Sequence, residues 1–265
     1  MPALDLALLT EAALAAGEIA RRYWRRSPQV WDKPGEGPVT EADIAVNAML
    51  EARLRGARPD YGWLSEESPD NLARQSAQRV FIIDPIDGTR AFIAGEDTFA
   101  HSLAVAEGGR VVAGVVYLPV LDRLYTATAF GPALRDGQPI AASTRAGIEG
   151  ATLLTTHPYL APEHWPGGVP DLKRSFRASL AYRLCLVAEG RHDGMLTLRD
   201  AWEWDIAAGG LIAARAGAVV TDRHGAAIGF NASRPLAPGV LAAAPGLHAA
   251  LMARLSGRGI PGGDI

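Results

Sequence analysis

Asp84 and Asp87 stand three residues apart at the end of the apolar run Val80-Phe81-Ile82-Ile83, within the hexapeptide Asp84-Pro85-Ile86-Asp87-Gly88-Thr89. Burying an unpaired carboxylate is costly, so a pair at the mouth of a buried strand implies a cation to receive it. Gly88 and Thr89 read as the opening of a helix, whose free N–H groups favour a phosphate. A cation and a phosphate side by side imply phosphoryl chemistry. Three further acidic stations, Asp43, Glu66-Glu67 and Asp205, each open or close an expected element instead of lying along an exposed face. Each also has a plain alternative. Asp43 could complete a capping box with Thr40, Asp205 could sit in a helix first turn, and Glu66-Glu67 could be loop charges.

The elements that must position these groups follow from periodicity. Residues 3–25 carry helical spacing, with Leu4, Leu8, Leu9, Ala12 and Ala16 on one side. Residues 34–38 read as a loop, and Thr40 opens a helix with an apolar stripe through Ile44, Met49 and Leu50. A short strand over 61–66 ends in acids. The 80–84 strand leads into a helical turn near 89–93, and strands follow over 101–106, 111–117 and 123–127, with Gly108-Gly109 as a hairpin turn. Beyond residue 150 the spacing predicts strands at 152–156, 195–198 and 219–221 and helices at 180–189 and 205–216. The pattern divides into an antiparallel-rich α+β half over 1–145 and a more α/β half over 146–265, packed together.

Composition narrows the function classes. With 26 basic and 29 acidic residues the net charge is −3, unlike the electrostatic footprint of a nucleic-acid binder. The one basic run, Arg21 to Arg26, lies at a helix C-terminus, where cations suit the dipole. Cys185 is the only cysteine and lies in an apolar helical run, which marks a buried structural thiol and excludes an internal disulfide. Asp5, Glu11 and Glu18 interrupt the N-terminal apolar residues, unlike a secretory signal, and Pro238, Pro245 and Gly246 break the apolar tail, unlike a membrane span. A cytoplasmic protein is expected, without a membrane or nucleic-acid polymer as partner. No Gly-x-Gly-x-x-Gly follows the early strand and no Lys-Ser/Thr phosphate loop is present, which argues against a dinucleotide oxidoreductase.

Leu64-Ser65-Glu66-Glu67-Ser68, Asp84 to Thr89, and Trp204-Asp205-Ile206-Ala207-Ala208-Gly209 together resemble the three signatures of the inositol monophosphatase family. Pro38 to Asp43, Gly114 to Pro119 and Cys185 to Gly190 extend the resemblance, in family order, over nearly the whole chain. It implies a layered αβαβα sandwich and Mg²⁺-dependent, commonly Li⁺-sensitive hydrolysis of a small phosphomonoester by metal-activated water. Carried over by position, Glu66, Asp84 and the Ile86 carbonyl hold a first Mg²⁺. Asp84, Asp87 and Asp205 hold a second, and Glu67 with Glu66 supports a weaker third. Asp43 and Thr89 are implied to activate the water, with the Gly88 and Thr89 amides on the phosphate. The chemistry is consistent: every implied ligand is a hard oxygen, which suits Mg²⁺ over Zn²⁺. Two cations roughly 3.5–4 Å apart can clamp both oxygens of an in-line displacement.

The substrate is less constrained. Inositol phosphatases of this family typically carry a Glu seven residues before the last metal Asp; here the ungapped count falls on Leu198, with Asp200 as a substitute if the loop is shifted. An apolar residue there favours a 3'(2'),5'-bisphosphate nucleotide over a cyclitol. Ser179, Arg183, Leu198 and Trp202 then become substrate-contact candidates, with Arg191 and Arg199 as further partners for a second phosphate. Inositol 1-phosphate, histidinol phosphate and other sugar phosphates remain alternatives, as does a non-catalytic regulator that binds metal or phosphate. Family members range from monomer to homodimer. His101 stands where an apolar strand residue is expected and reads as a hydrogen-bonded structural histidine or a substrate contact.

Overall fold

The computed structural model describes residues 2–33, 37–70 and 72–256. Helix α1 (Pro2–Tyr23) turns Leu9, Ala12, Ala16 and Ala20 inward. Leu4, expected on that face, is exposed; Asp5 starts it instead, fully buried and accepting from Arg79 Nη1 at 2.9 Å and Tyr61 Oη at 3.2 Å. A hairpin of β1 (Val30–Lys33) and β2 (Gly37–Thr40) follows, so Gly37 and Pro38 belong to a strand and not to the expected loop. Residues 34–36 of that loop lie outside the described residues. Helix α2 (Glu41–Ala57) begins with a capping box in which the Thr40 side chain and the Asp43 side chain each satisfy the other's backbone N–H. Its buried stripe runs through Val46, Leu50 and Leu54, whereas Ile44 is exposed.

Seven strands then form one sheet in chain order: β3 (Gly62–Ser65), β4 (Arg79–Asp87), β5 (Ala100–Glu107), β6 (Arg110–Leu118), β7 (Arg123–Thr128), β8 (Leu134–Arg135) and β9 (Gln138–Pro139). Only the β3–β4 pair is parallel. The short helix α3 (Thr89–Ile93) leaves the end of β4. A second, five-stranded sheet combines β10 (Ala151–Leu154), β11 (Leu172–Ser175), β12 (Gly194–Thr197), β14 (Val219–Thr221) and β16 (Val240–Ala243), in the order β11-β10-β12-β16-β14. The remaining two, β13 (Ala201–Trp202) and β15 (Leu236–Ala237), pair only with each other.

The helices of this half are α4 (Leu180–Ala188), α5 (Glu203–Arg215) and α6 (Pro245–Leu255). The apolar tail thus becomes a strand and a helix, with Pro245 at the first helical position, where its missing N–H costs nothing. Among the described residues no helix is long and apolar enough to cross a membrane.

The stacking order is helix, sheet, helix, sheet, helix. Helices α1 and α2 pack on one face of the first sheet, with Phe81, Ile83, Leu103 and Val115. On its other face lie α4 and α5, which also touch β12 and β14 of the second sheet. Helix α6 covers the far side, with Leu196, Leu241, Leu247 and Leu251. This is the αβαβα sandwich that the resemblance implies. The central layer sits close: a Cβ on Gly114 of β6 would come 3.0 Å from Ala208 Cα, and one on Gly209 would come 2.8 Å from Leu184 Cβ. Small residues at these contacts let the first turn of α5 reach the end of β4. Cys185 is a free, buried thiol, as expected.

Candidate active site

Residues three apart on a regular strand point to opposite faces, so the pair Asp84 and Asp87 needs an irregularity to converge. β4 supplies one. Asp84 lies opposite Ser102 and Asp87 opposite Ala100, with a register shift between them. Three steps along β4 therefore answer two along β5, which is the extra residue of a bulge. Asp205, in the first turn of α5, completes the group. Asp84, Asp87 and Asp205 each present a carboxylate oxygen, and all three oxygens lie within 4.8 Å of one another.

Asp87 and the helix turn that carries Asp205 are braced from behind. Asp87 Oδ2 accepts from Ser179 Oγ at 2.7 Å and from the Ala181 N–H at 2.6 Å, at the start of α4, where the free amides favour a negative charge. Ser102 Oγ donates to the Trp204 carbonyl at 2.8 Å and ties the first turn of α5 to the strand opposite Asp84. Glu203 accepts from the N–H groups of Asn231 and Ala232, and the buried Arg74 donates to the Ala232 carbonyl at 2.8 Å. Ser179 also caps α4 by accepting from the Tyr182 N–H at 2.9 Å. Ser179→Ala removes the cap and one brace of Asp87 together; an expected loss of about 1–2 kcal/mol is read from the urea midpoint. No change in that midpoint would show that the serine is dispensable to the site's rigidity.

A cleft of about 670 Å³ opens on the three carboxylates, walled by Glu66, Ile86, Gly88 and Thr89 on one side. Gly88 holds φ at +99°, and a Cβ there would lie 3.3 Å from the Ser179 amide, so glycine serves both the turn and the close approach. Thr89 Oγ1 lies 3.4 Å from Asp43 Oδ1 and 3.1 Å from the Ile86 carbonyl, two acceptors for its one proton. Asp43 is fully buried and fixed through Oδ2 by the Thr40 N–H at 2.8 Å. The capping box and the contact with Thr89, which read as alternatives in the sequence, coexist because they use different oxygens of one carboxylate.

Burial sets the electrostatics. It pushes Asp43 up to about 6. Glu66 rises to about 7, again chiefly by burial, with Lys33 opposing. Burial drives Asp84 and Asp205 well above the usual carboxylate range, and the neighbouring charges of Glu66 and Asp87 raise both further. Asp87 is raised by burial against the pull of its Ser179 and Ala181 donors. Asp84 Oδ1 is buried with no hydrogen-bond partner. An orphaned carboxylate oxygen within an all-carboxylate set fits a hard divalent cation, which would supply the missing partner and offset the repulsion.

Other expected residues fall elsewhere. Glu67 is not on the cleft wall; its Oε1 pairs with Lys33 Nζ at 2.9 Å, and the same ammonium reaches Glu66 at 3.4 Å. Ser179 lies beneath the wall as the brace just described. Arg183, Arg199 and Trp202 line the cleft, whereas Arg191 pairs with Glu189 at 3.6 Å on the surface.

Leu198 corrects an expectation: it packs into the third core cluster, with Leu160 and Leu172, and does not face the cleft. Leu198 follows the end of β12 and turns to the core side, while Thr197 and Arg199 on either side of it take the cleft side. Asp200 is on the wall as well. Sequence reasoning missed Tyr159, Phe176, Arg177 and Trp204, which also line it. Period-2 alternation through 197–199 could have placed Thr197; the stretch 156–178 carries no comparable signal.

A layered αβαβα enzyme fold with a cation-ready carboxylate cluster beside a phosphate-sized turn defines a class of metal-dependent phosphoesterases. The profile of the inositol monophosphatase family matches residues 4–258, and the chain belongs to that family. It is a metal-dependent phosphoric monoester hydrolase. Relatives include an inositol-1-monophosphatase of Rhizobium meliloti strain 1021, 34% identical over 232 residues that cover 83% of this chain and 86% of that one. The 3'(2'),5'-bisphosphate nucleotidase CysQ of Salmonella typhimurium strain LT2 is 35% identical over 213 residues, 75% of this chain and 82% of that one. Among solved structures, the IMPase of Thermotoga maritima superposes with a TM-score of 0.82 at 28% identity, covering 97% of both chains.

Proposed function

We propose that the chain is a Mg²⁺-dependent 3'(2'),5'-bisphosphate nucleotidase, removing one phosphate from a nucleotide such as 3'-phosphoadenosine 5'-phosphate to leave AMP. The observation that carries the substrate is the composition of the cleft lining. Arg177, Arg183 and Arg199 share the cleft with Tyr159, Phe176 and Trp202 as well as with the carboxylates. Three guanidinium groups suit a second phosphate, and aromatic faces suit a base. Trp202 stacks on Trp204 at 4.7 Å and 10°, so one of its faces is already covered. Arg183 lies over the Phe176 ring at 4.4 Å, which holds the guanidinium in the wall.

The metal ligands are proposed to be Asp84, Asp87 and Asp205, with Glu66 and the Ile86 carbonyl beside them. Bound there, Mg²⁺ would neutralise charge on the phosphoryl group and make the attacking water more acidic. The chain's own residues do the rest. Thr89 Oγ1 passes its proton to Asp43 Oδ1 and accepts one from the water, whose oxygen forms the new bond to phosphorus as the ester P–O bond breaks. The leaving alkoxide is then protonated from solvent. Asp43, held near 6, is ionised at neutral pH yet is a better base than an ordinary aspartate. The amides of Gly88 and Thr89 would donate to the phosphate oxygens.

A second reading, inositol-1-monophosphatase, is favoured by Asp200, which lines the cleft and can accept from a cyclitol hydroxyl. Phosphate release from 3'-phosphoadenosine 5'-phosphate and inositol 1-phosphate, measured side by side with Mg²⁺, separates the two. At least a tenfold preference for the nucleotide in kcat/KM is expected. Preference for inositol phosphate transfers the substrate contact to Asp200, and cleavage of neither directs attention to histidinol phosphate and sugar phosphates.

A further inference from the structure

The hydrolytic machinery leaves one buried polar residue of the site unexplained. His101 is completely buried on β5, where a neighbouring apolar side chain would cost nothing. Its position in the ladder is special. Asp84 answers Ser102 and Asp87 answers Ala100, so His101 is the single β5 residue opposite Pro85 and Ile86 at the bulge. Pro85 carries no N–H, and at a bulge the regular ladder is interrupted. The His101 ring supplies what the ladder does not, a hydrogen bond from Nδ1 to the Pro85 carbonyl.

We propose that His101 is a positioning residue for the metal site, resting on the metal-dependent reading above: its Nδ1–H···O=C bond fixes the bulge of β4 and thereby the convergence of Asp84, Asp87 and the Ile86 carbonyl. The tautomer follows from the partner, because a carbonyl only accepts and the proton must therefore sit on Nδ1. Burial holds the imidazole down to about 4, so the ring is neutral with one N–H to give. Nε2 is consequently left buried with no partner. An unmet acceptor is a cost that an aliphatic residue avoids, and the bond to Pro85 is what the histidine gains for it. Phe99 and Tyr117 flank the ring, with centroids at 6.3 and 6.4 Å, and limit its rotation.

Two substitutions separate the hydrogen bond from the packing. In H101N the amide nitrogen occupies the place of Nδ1, two bonds beyond Cβ, and can donate to Pro85, but the lost ring volume leaves a cavity. In H101L the volume is roughly kept and the donor is gone. Magnesium binding is measured directly by isothermal titration calorimetry on the full-length proteins, alongside Tm without metal and the Mg²⁺ dependence of turnover. H101L is expected to bind Mg²⁺ about tenfold more weakly, the usual scale for losing a partner behind a ligand. H101N should stay within about threefold of wild type although its Tm is the lower of the two. Metal affinity that follows Tm instead of the donor, or an H101L affinity equal to wild type, overturns the proposal. H101V serves as a second donor-free variant should H101L fail to fold. A wild-type protein that takes up no Mg²⁺ defeats the metal-site reading itself, a result distinct from any of these.

Discussion

Asp84→Asn is expected to lower kcat/KM by at least about a thousandfold, the upper range for removing one electrostatic stabiliser of a transition state, while making the metal-free protein more stable. The two effects have one cause. Asp84 is buried, has a carboxylate oxygen within 4.8 Å of one on Asp87 and one on Asp205, and carries the orphaned oxygen Oδ1. Ionised it faces the charges of both neighbours, and protonated it holds a proton that the unfolded chain has released, so either state costs stability near neutral pH. As an amide it is neutral at every pH and its NH₂ can donate to either neighbour. Stability lost to like charges is thus recovered, and with a domain of this size each kcal/mol appears as about 2–4 °C in Tm. The amide is a poorer ligand for a hard cation, so the rise in Tm that Mg²⁺ gives the wild type should largely disappear. Thermal scans in EDTA and in Mg²⁺, with a phosphate-release assay, test the pair. A variant that keeps activity within tenfold, or that melts lower than wild type in EDTA, would remove Asp84 from the centre of the cluster.

Much of this arrangement was legible because its residue types are expensive to place anywhere else. Acids at the ends of apolar runs, with Gly88 and Thr89 following, announce a site before any geometry is known. The strands and helices that hold them carry strong periodicity, and most lie within two or three residues of their expected bounds. What escaped depends on information that a local window does not hold. The bulge in β4 is a matter of register with β5, and it alone explains why residues three apart converge. Strand β11 and the 3₁₀ turns between 157 and 164 lie in a Pro- and Gly-rich stretch without a period. That stretch contributes Tyr159 to the cleft, and Phe176 and Arg177 follow β11. Counting seven residues back from Asp205 lands on Leu198, but a count along the chain does not say which side of the backbone faces the cleft, and Leu198 turns to the core. Helical spacing puts Leu4 on the apolar side of α1 with Leu8, but the buried face begins at an aspartate with its own cationic partner, Arg79.

The pH dependence of stability should reverse when the metal is added. In the unfolded chain Asp43 and Glu66 take their ordinary values of 3.8 and 4.5, whereas in the fold they rise to about 6 and about 7. Between those limits the native protein holds protons that the unfolded chain has released. Stability therefore falls as pH rises from about 4 to about 7, the opposite of an ordinary salt-bridged carboxylate. Each of the two shifts corresponds to roughly 3 kcal/mol as an upper bound, and the contributions are not additive within one cluster. Asp84, Asp87 and Asp205, raised by the same burial, carry the decline further up the scale.

Magnesium takes the deprotonated carboxylates, so its binding competes with protons and strengthens over the same interval. The expected result is a Tm that drops between pH 5 and pH 8 in EDTA and is flat or rising in saturating Mg²⁺, the two curves diverging with pH. Calorimetric titrations in buffers of different ionisation enthalpy should show protons released on binding at pH 6 and fewer at pH 8. Parallel Tm curves with and without Mg²⁺ would mean that the cation does not bind this cluster, and the catalytic assignment of Asp84, Asp87 and Asp205 would fall with it.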